Sequence, residues 1–409
     1  MQGIESVSDQ RKIVRRDRLS RRSRAFEVSP WSAAADLVSR HPDPIYFGNG
    51  APGVDAQPLS RLQWAAAKAW GEVGGSLDYG ELEGFPPLRE LIVERMKRRG
   101  IFAGVTDTMV TNGSQQGIDL ISRLLLDPGD SIVVEGPTYI GAMQTFGAYE
   151  AHYLTCSVDE HGLCVDELEG ILAAADPTPK LIYTIPTFQN PTGCALAADR
   201  RGRLIELAEA FGVLILEDDP YGEIYFGAEP PELALRASSD RVVYLGSFSK
   251  TIAPGIRVGW TVAPPELMSL LLMAKEGADI HSNRVMTRTV YHTATDFLDG
   301  HIVDIRAIYR ARRDALYETL RAEMPESVSI SRPEGGFFIW CELPAGRSAD
   351  DLLVVAADCG VGFLPGSWFY PPGAGTANGL RLSYSSLPLE RLEEGARRLG
   401  AATSRFLSG

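Results

Sequence analysis

Lys250 stands in the stretch SFSKTIAPGIRVGW, Ser247 to Trp260, between small hydroxyl residues and an apolar run broken by Pro254, Gly255 and Gly259. A lysine that only solvates a surface usually has polar or charged neighbours, whereas this one is set among small and apolar residues. An unperturbed lysine has a pKa of about 10.4 and is a poor nucleophile near neutrality, but desolvation and nearby positive charge lower it. Arg257, in the same stretch, supplies such a charge or binds an anion.

Other residues of this kind close short apolar runs: GSQQG (Gly113–Gly117), EGPTY (Glu135–Tyr139), PTFQNPTG (Pro186–Gly193) and EDDPY (Glu217–Tyr221). In an open α/β sheet, ligands bind at the carboxyl ends of the strands, so these segments belong together as one set. They offer an anion cradle, an aromatic ring, an amide, an acid with a phenol, and an amine. GSQQG opens the helical segment IDLISRLLL, where free backbone N–H groups suit a phosphate; the same residues also make an ordinary helix cap. Asp218 and Asp219 are either turn or cap formers or partners of a buried cation. An imine-forming lysine with a phosphate cradle and an acid for a pyridinium is the protein's share of pyridoxal phosphate chemistry.

The elements that must position these groups are legible as patterns. TMVTNG, SIVVEGP, KLIYTIPT, VLILEDD and RVVYLGS, between Thr108 and Ser247, are rich in Val, Ile and Tyr and end in turn residues. AADRRGRLIELAEAFG lies between two of them, with helical apolar spacing at Leu204, Ile205, Leu207, Ala208 and Phe211 and a stop at Gly212. This alternation predicts an α/β fold with a mostly parallel sheet flanked by helices. A long helical run from about Val285 to Met324 follows. Three strand-like pieces (VSISRPEGGFFIWCEL, VGFLPGSWF, LRLSYS) and a closing helix near Leu389–Leu407 then predict a smaller α+β C-terminal domain.

Composition excludes several classes. The net charge of -13 argues against general nucleic-acid affinity. The basic run Arg11–Arg24 reads as a disordered or loosely docked tail, with a site for a nucleic acid or another anionic partner as the competing role. No run of about 18 apolar residues would span a bilayer, and the N-terminus lacks the apolar stretch of a signal peptide. The five cysteines have no metal or disulfide spacing and read as reduced thiols of a cytoplasmic protein. The six histidines include no paired helical spacing, so no metal site is expected. Gly48–Gly53 satisfies G-x-G-x-x-G, but Pro52 and the following VDAQP cannot open the helix that a dinucleotide site requires.

S-F-S-K-T-x-A-P-G-x-R-x-G-W, P-x-x-x-N-P-T-G and D-x-x-Y, in this order and at these separations, resemble the fold-type I pyridoxal-phosphate aminotransferases of class I/II. The wording GSQQ, EGPTY and EDDPY most resembles the branch with 2-aminoadipate and kynurenine transaminases and the aminotransferase-like half of MocR regulators. The resemblance runs from about Ile45 to Leu399. It implies that Lys250 forms the Schiff base and moves the substrate proton, and that Asp218 keeps the pyridine nitrogen protonated, with Asp219 the tempting wrong choice. Tyr221 and Asn190 match the donors to the ring oxygen and Tyr139 the stacked aromatic. Ser114, Gln115, Ser247, Ser249 and Arg257 match the phosphate cradle. Arg381 matches the grip on the substrate carboxylate, and Gly50 the glycine that approaches the substrate. Tyr79 matches the tyrosine that reaches the neighbouring subunit's phosphate, which implies a homodimer with shared active sites.

The resemblance also divides the chain into an arm (1–44), a large cofactor-binding domain (45–290, with 45–60 over the substrate) and a small domain (291–409). HSNRVMTR, His281–Arg288, is more polar and basic than the family's usual wording; Arg284 there could meet an acidic side chain, and a surface role competes with that. The expected reaction is amino transfer between an L-amino acid and a 2-oxo acid. Decarboxylation, β- or γ-elimination or oxygen-dependent oxidation would use almost the same motifs. A MocR-type regulator would need a winged-helix domain ahead of this fold, and the residues before Tyr46 are too few for one.

Overall fold

The computed structural model describes residues 18–26, 30–72, 77–227, 232–375 and 378–409; the first half of the basic run Arg11–Arg24 lies outside them. After a short strand, β1 (Ile45–Tyr46), come β2 (Thr108–Thr111), β3 (Ser131–Gly136), β4 (His152–Asp159), β5 (Gly162–Leu163), β6 (Leu181–Thr184), β7 (Leu214–Asp219), β8 (Val242–Ser247) and β9 (Gly259–Val262). The last eight form one sheet in the order β2-β9-β8-β7-β6-β3-β4-β5. Pairing is parallel from β8 through β7, β6 and β3 to β4, and antiparallel at β9 and β5. The central strands are buried along almost their whole length, which is why they read as continuous apolar runs and not as alternation.

The helix Ala198–Phe211 ends as its sequence requires: Gly212 takes a left-handed conformation (φ 72°) and caps it. Three strands of this sheet escaped the sequence reading; one of them, β5, is only two residues long. β4 is only partly buried and carries a mixed polar pattern. β9 is four residues long and lies within the Lys250 motif, where Pro and Gly dominate the signal.

The C-terminal part adds β10 (Ser329–Ile330), β11 (Phe338–Glu342), β12 (Val361–Gly362), β13 (Leu364–Pro365) and β14 (Gly379–Ser383). β10-β11-β14-β13 make an antiparallel sheet, while β1 pairs in parallel with β12. Ala34, Ile45 and Phe47 accordingly share a core with Phe337, Phe363 and Leu399. Tyr221 and Phe188, carried by the loops after β7 and β6, join the same core, so the two sheets meet at the strand ends.

The long helical run is two helices, Arg284–Asp296 and Leu298–Glu323, and not one. Phe297 leaves helical geometry between them (φ -135°, ψ -19°). No Gly or Pro marks the break. Instead the Phe297 ring packs edge-on against Trp64, 5.3 Å between centroids, and lies 4.4 Å under Arg61, both from the helix Leu59–Glu72. Among the described residues no helix is long and apolar enough to cross a membrane.

Candidate active site

The carboxyl ends of β3, β6, β7 and β8 open on a cavity of about 290 Å³. Twelve of the residues singled out above line it: Gly50, Ser114, Gln115, Tyr139, Asn190, Asp218, Tyr221, Ser247, Ser249, Lys250, Arg257 and Arg381. Tyr79 does not; it is 78% exposed and meets the His281 ring edge-on at 5.7 Å. Asn49, Ile185 and Phe338 also line the cavity and were not singled out in the sequence, because an ordinary apolar or loop residue carries no signal of its own.

Lys250 follows β8 closely, and its Nζ donates to the Gly50 carbonyl at 2.9 Å. Burial, with Arg381 and Arg257 as further positive neighbours, brings its pKa down to about 8; Asp218 pulls the other way. A neutral amine is therefore accessible near physiological pH. Gly50 fits here because it has no side chain: a Cβ would fall 2.9 Å from the Phe338 ring.

Strand alternation separates the two aspartates of β7, which point to opposite faces. Asp218 lines the cavity, accepting a hydrogen bond on Oδ2 from the Tyr183 hydroxyl at 3.0 Å. Its Oδ1 is sealed from solvent and has no hydrogen-bond partner. Burial raises the Asp218 carboxyl to about 6, with the Asp219 charge adding to the rise and Tyr183, the nearby Ser114 hydroxyl and Lys250 pulling the other way. Asp219 turns to the back of the sheet, where its Oδ2 accepts from Arg99 at 3.1 Å and Tyr244 at 3.0 Å.

One end of the cavity is built from a helix end and a bend. Gly113 precedes the helix Ser114–Leu125 with φ 76° and offers no side-chain cap, so the first backbone N–H groups face the cavity end without an intrahelical partner. A Cβ on Gly113 would fall 2.5 Å from the Arg257 guanidinium. Arg257, itself left-handed (φ 51°), donates to the Asn112 carbonyl at 2.8 Å. Ser247 and Ser249 share a hydrogen bond of 2.8 Å. The Gln115 amide is turned away, to the Gly141 carbonyl and the Thr145 hydroxyl, which leaves its backbone as the group available to an anion.

Arg381 comes from β14 and is 1% exposed. It donates from Nη1 to Asn190 Oδ1 at 2.9 Å and from Nη2 to the Gly48 carbonyl at 2.6 Å, and it lies 4.2 Å over the Phe338 ring. Tyr221 packs edge-on against Phe337 and Phe338, and burial pushes its phenol well above the ordinary value. Burial likewise pushes Tyr139 up to about 12. Both are neutral hydroxyl donors at any physiological pH.

The family model for aminotransferase class I and II matches residues 42–399. The chain belongs to the class I and II aminotransferases. It is 38% identical over 376 residues to a 2-aminoadipate transaminase of Thermus thermophilus, covering 91% of this chain and 93% of that one. It is 40% identical to aromatic-amino-acid aminotransferase 1 of Thermococcus litoralis, covering 87% of each. Its fold matches the solved alpha-aminoadipate aminotransferase of Thermus thermophilus, complexed with N-(5'-phosphopyridoxyl)-L-leucine, with a TM-score of 0.88 at 34% identity over 96% of this chain and 98% of that chain.

The aminotransferase is thus a fold-type I enzyme that uses pyridoxal 5'-phosphate to move amino groups. Its cavity fits that cofactor. The buried, unpartnered Asp218 Oδ1 suits a protonated pyridine nitrogen, and the helix end with Arg257 suits a phosphate. Lys250 lines the same cavity.

Proposed function

We propose that this aminotransferase exchanges the amino group of an L-α-amino acid with a 2-oxo acid, with Lys250 as its catalytic amine and Arg381 as its carboxylate grip. The observation that carries the reading is that one cavity holds Lys250 Nζ, the Asp218 carboxylate and the Arg381 guanidinium together. When bound, pyridoxal phosphate supplies an electron sink that lets the substrate Cα release its proton. In this reading Lys250 would hold the cofactor through its Nζ, and once the substrate amine takes its place that Nζ would accept the proton from the substrate Cα and hand it on to the cofactor.

Asp218 would hold the pyridine nitrogen protonated through its buried, unbonded Oδ1. Tyr221 and Asn190 would hold the ring oxygen, and Tyr139 would cover the ring face. Ser114, the Gln115 backbone, Ser247, Ser249 and Arg257 would hold the phosphate. Arg381 presents two parallel N–H groups to the α-carboxylate, a geometry that lysine lacks. Gly50 lets the substrate approach the backbone.

The reading includes a homodimer in which Tyr79, exposed in the single chain, completes the neighbour's phosphate site. It also includes a cytoplasmic location, in keeping with five unbridged cysteines. The arm (1–44), large domain (45–290) and small domain (291–409) divide the work between docking, cofactor and substrate grip.

Single-turnover spectra test the reaction. Mixing the enzyme with an amino acid in the absence of any oxo acid should convert the pyridoxal form to the pyridoxamine form, and adding a 2-oxo acid should reverse it. 2-Aminoadipate and the aromatic amino acids, for which the relatives are named, are the first donors to try. Carbon dioxide or ammonia without pyridoxamine would mean decarboxylation or elimination instead.

A further inference from the structure

Arg99 comes from the unremarkable sequence KRRG, yet it is 7% exposed and lies behind the cofactor cavity. Its Nε donates to Asp219 at the end of β7. Its Nη2 donates to the Thr187 hydroxyl at 3.2 Å, in the loop after β6 that goes on to Asn190, and its Nη1 to the Glu232 carbonyl at 2.9 Å. One planar guanidinium thereby ties together the two strand ends that deliver Asp218 and Asn190 to the cavity. Lysine, with a single ammonium on a flexible stem, cannot span both.

Charge adds to this geometry. Asp218 and Asp219 are adjacent, both nearly sealed, and Asp219 without a counterion would press on Asp218 through a low-dielectric interior. We propose that Arg99 is a positioning residue for the cofactor acid: it anchors the ends of β7 and β6 through Asp219 and Thr187, and it neutralises Asp219 so that Asp218 is left to face the cofactor. The inference rests on Asp218 being the acid that meets the pyridine nitrogen. The groups facing the two aspartates are Tyr183, Ser114, Lys250, Glu135, Tyr139 and Tyr221 on the Asp218 side, and Arg99, Arg201, Tyr244 and Glu217 on the Asp219 side.

The test compares Asp219→Asn, Arg99→Met, the double variant Arg99→Met/Asp219→Asn, and Asp218→Asn as purified holoenzymes. The readouts are cofactor affinity on reconstitution and the pH titration of the visible band of the lysine-bound cofactor. Asp219→Asn removes the carboxylate that Arg99 pairs with and should move that titration to lower pH by roughly half a unit or more. Removing both charges should return it toward wild type. Arg99→Met alone should bind cofactor about tenfold more weakly, because it leaves a buried, unpaired carboxylate and frees both strand ends. An unmoved titration in a folded Asp219→Asn enzyme overturns the proposal. So does a double variant that stays shifted while Asp219→Asn alone is shifted, since packing and not charge would then be at work. If Arg99→Met fails to fold, Asp219→Asn and the double variant still decide. Undiminished cofactor binding in Asp218→Asn would instead sink the reading of Asp218 itself.

Discussion

Arg381 and Asn190, 191 residues apart in the chain, share a hydrogen bond of 2.9 Å from Nη1 to Oδ1 inside the cavity. The bond joins β14 of the small sheet to the loop after β6 of the large one, so the proposed carboxylate grip is oriented by a residue that the reading also gives to the cofactor. Asn190→Ala should therefore do two things at once: weaken cofactor binding and raise the KM of the amino acid severalfold, with kcat falling less than KM rises. Steady-state kinetics at saturating cofactor separate the two effects. An unchanged KM would show that Arg381 is held without Asn190.

Arg381→Lys keeps the charge and loses the two parallel donors. The loss of a charge-assisted hydrogen bond predicts a KM for the amino acid roughly 10- to 100-fold higher. The visible spectrum of the resting enzyme should stay as it is, because Arg381 is assigned to the substrate and not to the cofactor.

Lys250→Ala removes the only lysine among the described residues that line the cavity. Turnover should fall by roughly a thousandfold or more, and the visible band of the lysine-bound cofactor should vanish. An active, yellow Lys250→Ala protein would remove the basis for the whole assignment.

The Asp218 carboxyl, raised by burial to about 6 from 3.8, holds its proton more tightly in the folded apoprotein than in the unfolded chain. Between those two values the folded state binds more protons, so the apoprotein loses stability as pH rises from about 3.8 to about 6 and carries the full penalty above that. Asp218→Asn should then stabilise the apoprotein at pH 7 by roughly 2–3 kcal/mol, with no gain below about pH 4, while the holoenzyme loses cofactor affinity. Thermal melts of apoprotein across that range check the sign. A constant difference at every pH would point to packing.

Tyr79 is the exposed member of the proposed site, and Tyr79→Phe should weaken cofactor binding severalfold without changing the oligomeric state. Sedimentation beside cofactor titration distinguishes this from a loss of dimer. A monomeric wild-type enzyme with full activity would remove the shared site.

Local patterns in the sequence determined much of this protein. Strand-end turn residues, helix stops such as Gly212 and the spacing around Lys250 are set by neighbours in the chain, so the α/β order could be read from them, while the motifs' resemblance to a known family pointed to twelve of the cavity residues. Alternation along a strand even separates Asp218 from Asp219 once β7 is recognised. Other features exist only because distant segments meet. The helix breaks at Phe297 where Trp64 and Arg61 pack against its ring, with no breaker residue to announce it. Arg99 in KRRG looks like any surface arginine until the strand ends of β6 and β7 close around it. Gln115 turns its side chain to Gly141 and Thr145, which no motif forecasts. The lowered pKa of Lys250 likewise depends on burial and on Arg381, residues and solvent exclusion that only the folded chain brings to the same place.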